Sequence, residues 1–99
     1  MEIIDKREGN IFTIGIIGEL DTISSPILDD KLKTVPSDIT ELILDLDKLD
    51  YISSSGIREF IIAQKLMDEK EGTLKLKNIN DFVSTVLTAS GIIDMFNIE

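Results

Sequence analysis

Leu42-Ile43-Leu44-Asp45-Leu46, followed after a short polar stretch by Tyr51-Ile52-Ser53-Ser54-Ser55-Gly56-Ile57, decides how this chain folds. The first run is mostly apolar and bounded by polar residues, as in a short strand covered on at least one face by helices. The second run opens a helix. Ile57, Phe60, Ile61 and Met67 recur on one side of it, while Arg58, Glu59, Lys65, Asp68 and Glu69 are expected to face water. Glu71-Gly72 closes this helix, with glycine expected in the left-handed conformation.

Upstream, Glu2 to Arg7 and Ile11 to Ile17 are extended runs separated by Glu8-Gly9-Asn10, which predicts a hairpin. Gly18-Glu19-Leu20-Asp21-Thr22 ends the second strand, and Ser24-Ser25-Pro26 starts a helix. Ile27, Leu28, Leu32 and Val35 keep helical spacing until Pro36 stops it. Downstream, Thr73-Leu74-Lys75-Leu76-Lys77 alternates as a half-exposed strand does. Asp81 is expected to cap a last helix carrying Phe82, Val83, Val86 and Leu87, ended by Ser90-Gly91, with a short closing strand at Phe96-Asn97-Ile98. The order β-β-α-β-α-β-α plus a closing strand predicts an α/β fold, one domain over residues 1–99 with helices packed on a mixed central sheet.

Composition narrows the chemistry. The chain has 42% hydrophobic and 29% charged residues over 99 positions, the balance of an ordinary soluble globular domain with one core. The formal charge of −9 repels phosphate backbones and anionic lipid, so neither a nucleic-acid partner nor a lipid surface is expected. Acidity of this size either maintains solubility or selects a basic protein partner. No apolar run is long enough to insert into a membrane. Met1-Glu2-Ile3-Ile4-Asp5 lacks the basic start of a secretory signal, which points to the cytoplasm.

The chain contains neither cysteine nor histidine. It therefore has no disulfide and no thiolate metal site, and a serine nucleophile would lack its usual base. No lysine lies near the serine run to substitute. Asp45, Asp47 and Asp50 suggest a calcium loop only superficially, because the glycine and glutamate such a loop needs are missing. Gly15, Gly18 and Gly56 match no phosphate-binding fingerprint. No catalytic residue, metal or cofactor is expected. The serines then read as helix capping, where one hydroxyl contributes about 1 kcal/mol, or as an acceptor for a regulatory phosphate of about −1.5 to −2 charge.

Gly18-Glu19-Leu20-Asp21-Thr22, Leu44-Asp45-Leu46 and Tyr51-Ile52-Ser53-Ser54-Ser55-Gly56-Ile57, with Ala89-Ser90-Gly91-Ile92, together resemble the STAS domain family over about Ile11 to Ile98. Within it the chain looks like the bacterial anti-sigma factor antagonists. The resemblance implies a sheet with helices mainly on one face. It also implies a protein-binding switch rather than an enzyme. Such a module holds an anti-sigma factor, a histidine-kinase-like serine kinase, while unmodified; phosphorylation releases it and a PP2C-type phosphatase restores binding. The family stretch Asp-Ser-Ser/Thr-Gly places the acceptor at Ser54. Here Ser53 stands where the aspartate is usual, which makes Ser53 a rival acceptor. The implied partner surface comprises Asp21, Thr22, Ser53, Ser54, Ser55, Gly56, Arg58 and Glu59. Many relatives carry a further helix beyond the position of Glu99, so an exposed apolar patch or self-association is expected.

Overall fold

A computed structural model describes all residues from Met1 to Glu99. Strands β1 (Glu2–Glu8) and β2 (Ile11–Leu20) form the expected hairpin, with Glu2 opposite Ile17 and Glu8 opposite Ile11. Gly9, at φ 62°, turns the chain between them. The first half of β2 runs parallel to β3 (Glu41–Asp45), from Ile11 beside Glu41 to Gly15 beside Asp45. Strand β3 pairs in parallel with β5 (Thr73–Lys77), which pairs with the two-residue closing strand β6 (Asn97–Ile98).

One strand was not legible as such. β4 (Leu49–Ile52) pairs in parallel with the end of β2, setting Leu20 beside Ile52. Strand β2 pairs with β3 from Ile11 to Gly15 and with β4 from Gly18 to Leu20, and the β2–β4 ladder shifts register between Gly18 and Glu19, where β4 carries an extra residue, Asp50. Gly18 has φ 98°, a left-handed backbone that favours glycine. Its amide donates to the Lys48 carbonyl (2.9 Å), closing the bulge. β2 is thus three residues longer than the strand expected at Ile11 to Ile17.

Three helices, α1 (Ser25–Leu32), α2 (Ser54–Glu69) and α3 (Asp81–Ala89), cover one face of the six-stranded sheet. Phe12, Ile14, Ile16, Leu42, Leu44, Leu74 and Leu76 are buried against Leu28, Phe60, Ala63, Met67, Val83 and Leu87. Their alternating neighbours Thr13, Ile43 and Lys75 are only half-buried on the opposite face. The mixed sheet with helices mainly on one face is therefore as expected. Burying each Leu, Ile or Phe contributes about 1.5–3 kcal/mol, so this single layer of contacts holds the fold together.

Three local readings change. Helix α1 ends at Leu32, a turn before Pro36, with Lys33 at its C-cap. Asn80 caps α3, its side chain accepting from the Val83 amide (2.8 Å), and Asp81 is the first helical residue. After α2 the left-handed residue is Glu71 (φ 58°) rather than Gly72. Gly72 serves close packing instead, since a Cβ there would lie 2.7 Å from the Thr40 carbonyl oxygen. A short 3-10 turn, Ile93–Met95, precedes β6; Phe96 is buried against Phe60, while Met95 and Ile98 remain partly exposed.

Candidate functional site

The parallel pairing of β2 with β4 delivers two chain segments to one end of the sheet. Past Leu20 comes the turn Asp21 to Ser24, and past Ile52 comes Ser53 and the start of α2. The Ser53 amide donates to the Leu20 carbonyl (2.9 Å), and Thr22 Oγ1 lies 3.2 Å from Ser55 Oγ. Asp21, Thr22 and the serine run are thereby neighbours, although 33 residues separate Thr22 from Ser55.

The Asp21 turn is held by its own side chains. Asp21 Oδ1 accepts from the amides of Ile23 (3.0 Å) and Ser24 (2.9 Å), while Ser24 Oγ accepts from the Asp21 amide (2.9 Å). Ser25 Oγ donates to the Asp21 carbonyl (2.5 Å). The hydrogen bonds from Ser24, backbone first and hydroxyl second, hold the Asp21 carboxyl below its ordinary range, so it stays ionised. An aspartate bonded this way fixes the turn rather than moving protons.

The three serines differ. Ser53 occupies the N-cap position of α2 in extended backbone, yet its hydroxyl makes no capping bond. Its Oγ is buried and has no partner. Ser54 begins the helix and is exposed. Ser55 is half-buried and faces Thr22. A cap is therefore not what the run supplies, and of the two rival acceptors only Ser54 presents its side chain to solvent.

Gly56 serves close packing. It lies inside α2, and a Cβ there would sit 2.8 Å from Ile52 Cγ1 and Leu20 Cγ and 2.9 Å from the Leu20 carbonyl oxygen. Glycine lets the first turn of α2 press onto the β2–β4 pair. It is buried, so it shapes the surface without forming part of it.

Arg58 is exposed, as expected, but Glu59 is not: only 7% of its surface remains accessible. It falls on the buried stripe of Gly56, Phe60, Ala63 and Met67 and faces α1. Its Oε2 has no hydrogen-bond partner. Burial, then the nearby Asp29 carboxylate, push the Glu59 carboxyl up to about 7. Asp29 is itself held low by its bond to Lys33 (3.1 Å). Thr22, Ser25, Pro26, Asp29, Ser55, Arg58 and Glu59 line a cleft of about 300 Å³ between α1 and α2.

Sequence reasoning missed Asp29, whose approach to Glu59 depends on how the two helices cross. It also missed Ile23, which is 87% exposed at the tip of the Asp21 turn. Glu59 was detectable, standing three residues after Gly56 and four before Ala63 on one helical stripe. Asp45, by contrast, serves the sheet end: Oδ1 accepts from the Asp47 amide (3.2 Å) and Asn78 Nδ2 (2.9 Å).

The comparisons with known proteins agree with this architecture. The family described as STAS domain matches residues 2–99. The anti-sigma-B factor antagonist of Bacillus subtilis is 28% identical over 94 residues, covering 95% of this chain and 86% of that protein. The Bacillus cell fate determinant SpoIIAA in its phosphorylated form superposes with a TM-score of 0.77 at 19% identity, covering 99% of this chain and 91% of that one. A sulfate transporter family protein from Wolinella succinogenes superposes with a TM-score of 0.78 at 17% identity, over 89% and 72% of the two chains. At such identities the superpositions establish the fold. No helix here is long and apolar enough to cross a membrane.

Proposed function

We propose that this chain, which belongs to the STAS domain family, is an anti-sigma factor antagonist whose binding is switched by phosphorylation of Ser54. The observation that carries this reading is the difference between adjacent hydroxyls: Ser54 is exposed at the first residue of α2, whereas Ser53 Oγ is buried. The anti-sigma factor, a histidine-kinase-like serine kinase, binds the face formed by the Asp21–Thr22 turn, Ser54, Ser55 and Arg58. Ile23 adds an apolar contact on that face. A PP2C-type phosphatase removes the phosphate, and the exchange takes place in the cytoplasm. The domain itself acts by binding, not by catalysis.

The relative from Bacillus subtilis, named an anti-sigma-B factor antagonist, supports the partner class. The phosphorylated form of SpoIIAA supports the compatibility of this fold with phosphate. Electrostatics makes the switch feasible. Like charges juxtaposed at an interface cost several kcal/mol, and about 3 kcal/mol corresponds to a roughly hundredfold change in affinity. The test is capture from lysate of the native host by wild type, Ser54→Ala and Ser54→Asp, with mass spectrometry of captured proteins and of position 54. Wild type and Ser54→Ala are expected to retain a kinase-like protein that Ser54→Asp loses.

A second reading, a constitutive adaptor in a signalling scaffold or transporter-associated complex, is favoured by Ser53 in place of the usual aspartate. The shared fold with a sulfate transporter family protein is compatible with it. Identical capture by all three variants would support that reading over the switch.

A further inference from the structure

Arg58 stands four residues after Ser54 in α2, one helical turn further on and on the same face. Side chains so spaced have Cβ atoms about 5–6 Å apart and meet readily. The chain has two arginines. Arg7 is engaged with the Gly9 carbonyl and the Asp38 carboxylate, whereas Arg58 is exposed and makes no ion pair or side-chain hydrogen bond. No nearby carboxylate holds it in an ion pair, although its charge is felt by the Glu59 carboxyl beside it. Glu59 points inward at the α1 seam, and Asp29 across the cleft already holds Lys33.

We propose that a phosphate on Ser54 captures Arg58 within α2, so that modification withdraws the arginine from the partner face as well as adding negative charge there. This rests on the reading of Ser54 as the phosphate acceptor. A phosphate presents three acceptor oxygens and Arg a planar fork of donors that can bind two of them at once. Before modification the Arg58 guanidinium is a free contact for an acidic or carbonyl group of the anti-sigma factor. Afterwards it is occupied in cis, and the pair presents a net negative charge where a positive one stood. One modification thereby changes two features of the binding face, and neither change requires the backbone to move.

The test uses the full chain with phosphoserine installed at position 54 during translation, so no kinase is needed. Phosphorus NMR follows the second ionisation of the phosphate, which lies near 6 without a partner. In the wild-type background that ionisation is expected below its value in Arg58→Gln, by about half a unit, a roughly threefold change in proton affinity. Arg58→Lys should restore part of the shift. The Arg58 Nε–H resonance is expected to move on phosphorylation, a signal that a purely structural role would not produce. An ionisation indifferent to Arg58→Gln, with an unmoved Nε–H resonance, overturns the capture. If the anti-sigma factor is still released by phosphorylation in that case, Ser54 switching survives without Arg58. If the captured arginine is seen but the partner ignores the phosphate, the switch reading fails and with it the capture's role at the interface.

Discussion

Thr22 Oγ1 and Ser55 Oγ face each other at 3.2 Å, joining the turn after β2 to the first turn of α2. This side-chain contact ties together the two halves of the proposed binding face, whose backbones pair at Leu20 and Ile52. Thr22 is exposed, so the hydrogen bond contributes on the order of 0.5–1 kcal/mol to stability. Thr22→Val is expected to lower stability by less than about 1 kcal/mol in urea denaturation. Its affinity for the anti-sigma factor should fall severalfold in calorimetry. Unchanged affinity would place the partner elsewhere.

Gly56→Ala provides the sharpest stability test. In an exposed helix the change to Ala would stabilise by about 1 kcal/mol. Here the new methyl would meet Leu20 Cγ, Ile52 Cγ1 and the Leu20 carbonyl oxygen at 2.8–2.9 Å. A backbone oxygen cannot swing aside as a side-chain tip can. Overpacking of about 1–3 kcal/mol therefore outweighs propensity, and net destabilisation is expected. Urea midpoints decide the sign.

Ser53→Ala inverts the usual capping result. Replacing a serine at an N-cap normally costs about 1 kcal/mol. Ser53 Oγ makes no capping bond and is buried without a partner, so its removal strands nothing. The variant is expected to match or slightly exceed wild-type stability, within about 0.5 kcal/mol. It should also be phosphorylated normally. A loss of a full kcal/mol would show that the hydroxyl caps α2 after all.

Much of this architecture could be read directly from residue order, and the exceptions have physical causes. The runs Ile11–Ile17, Leu42–Leu46 and Thr73–Lys77 carry their burial in their pattern. β4 does not. Its ends Leu49 and Ile52 are buried while Asp50 and Tyr51 between them are exposed, and four residues leave no room for a repeating alternation. The charge on Glu59 suggested solvent, yet helical geometry carried it to the seam with α1. Ser54 could be singled out from the serine run by resemblance alone, whereas the different surroundings of Ser53 and Ser55 arise from tertiary packing.

Glu59 also gives the fold a pH dependence. Its carboxyl titrates at about 7 in the folded chain against an ordinary 4.5. The fold therefore holds this proton more tightly than the unfolded chain does. The associated stability is fully present below pH 4.5 and is lost as pH rises through about 7. Asp21 and Asp38, held low by their hydrogen bonds, act oppositely and lose their contribution only as pH falls through the acid range. Glu59→Gln should be more stable than wild type near pH 8, with much of that advantage gone near pH 5. Thermal denaturation across that range checks this, and parallel curves for the two proteins would refute it.

Phosphate on Ser54 is expected to release the partner. The most direct measurement is calorimetry of the purified anti-sigma factor against unmodified chain and against chain carrying phosphoserine at position 54. Affinity is expected to fall by about a hundredfold, corresponding to about 3 kcal/mol. Equal affinities of the two forms would contradict the switch and leave this STAS domain a constitutive binding module.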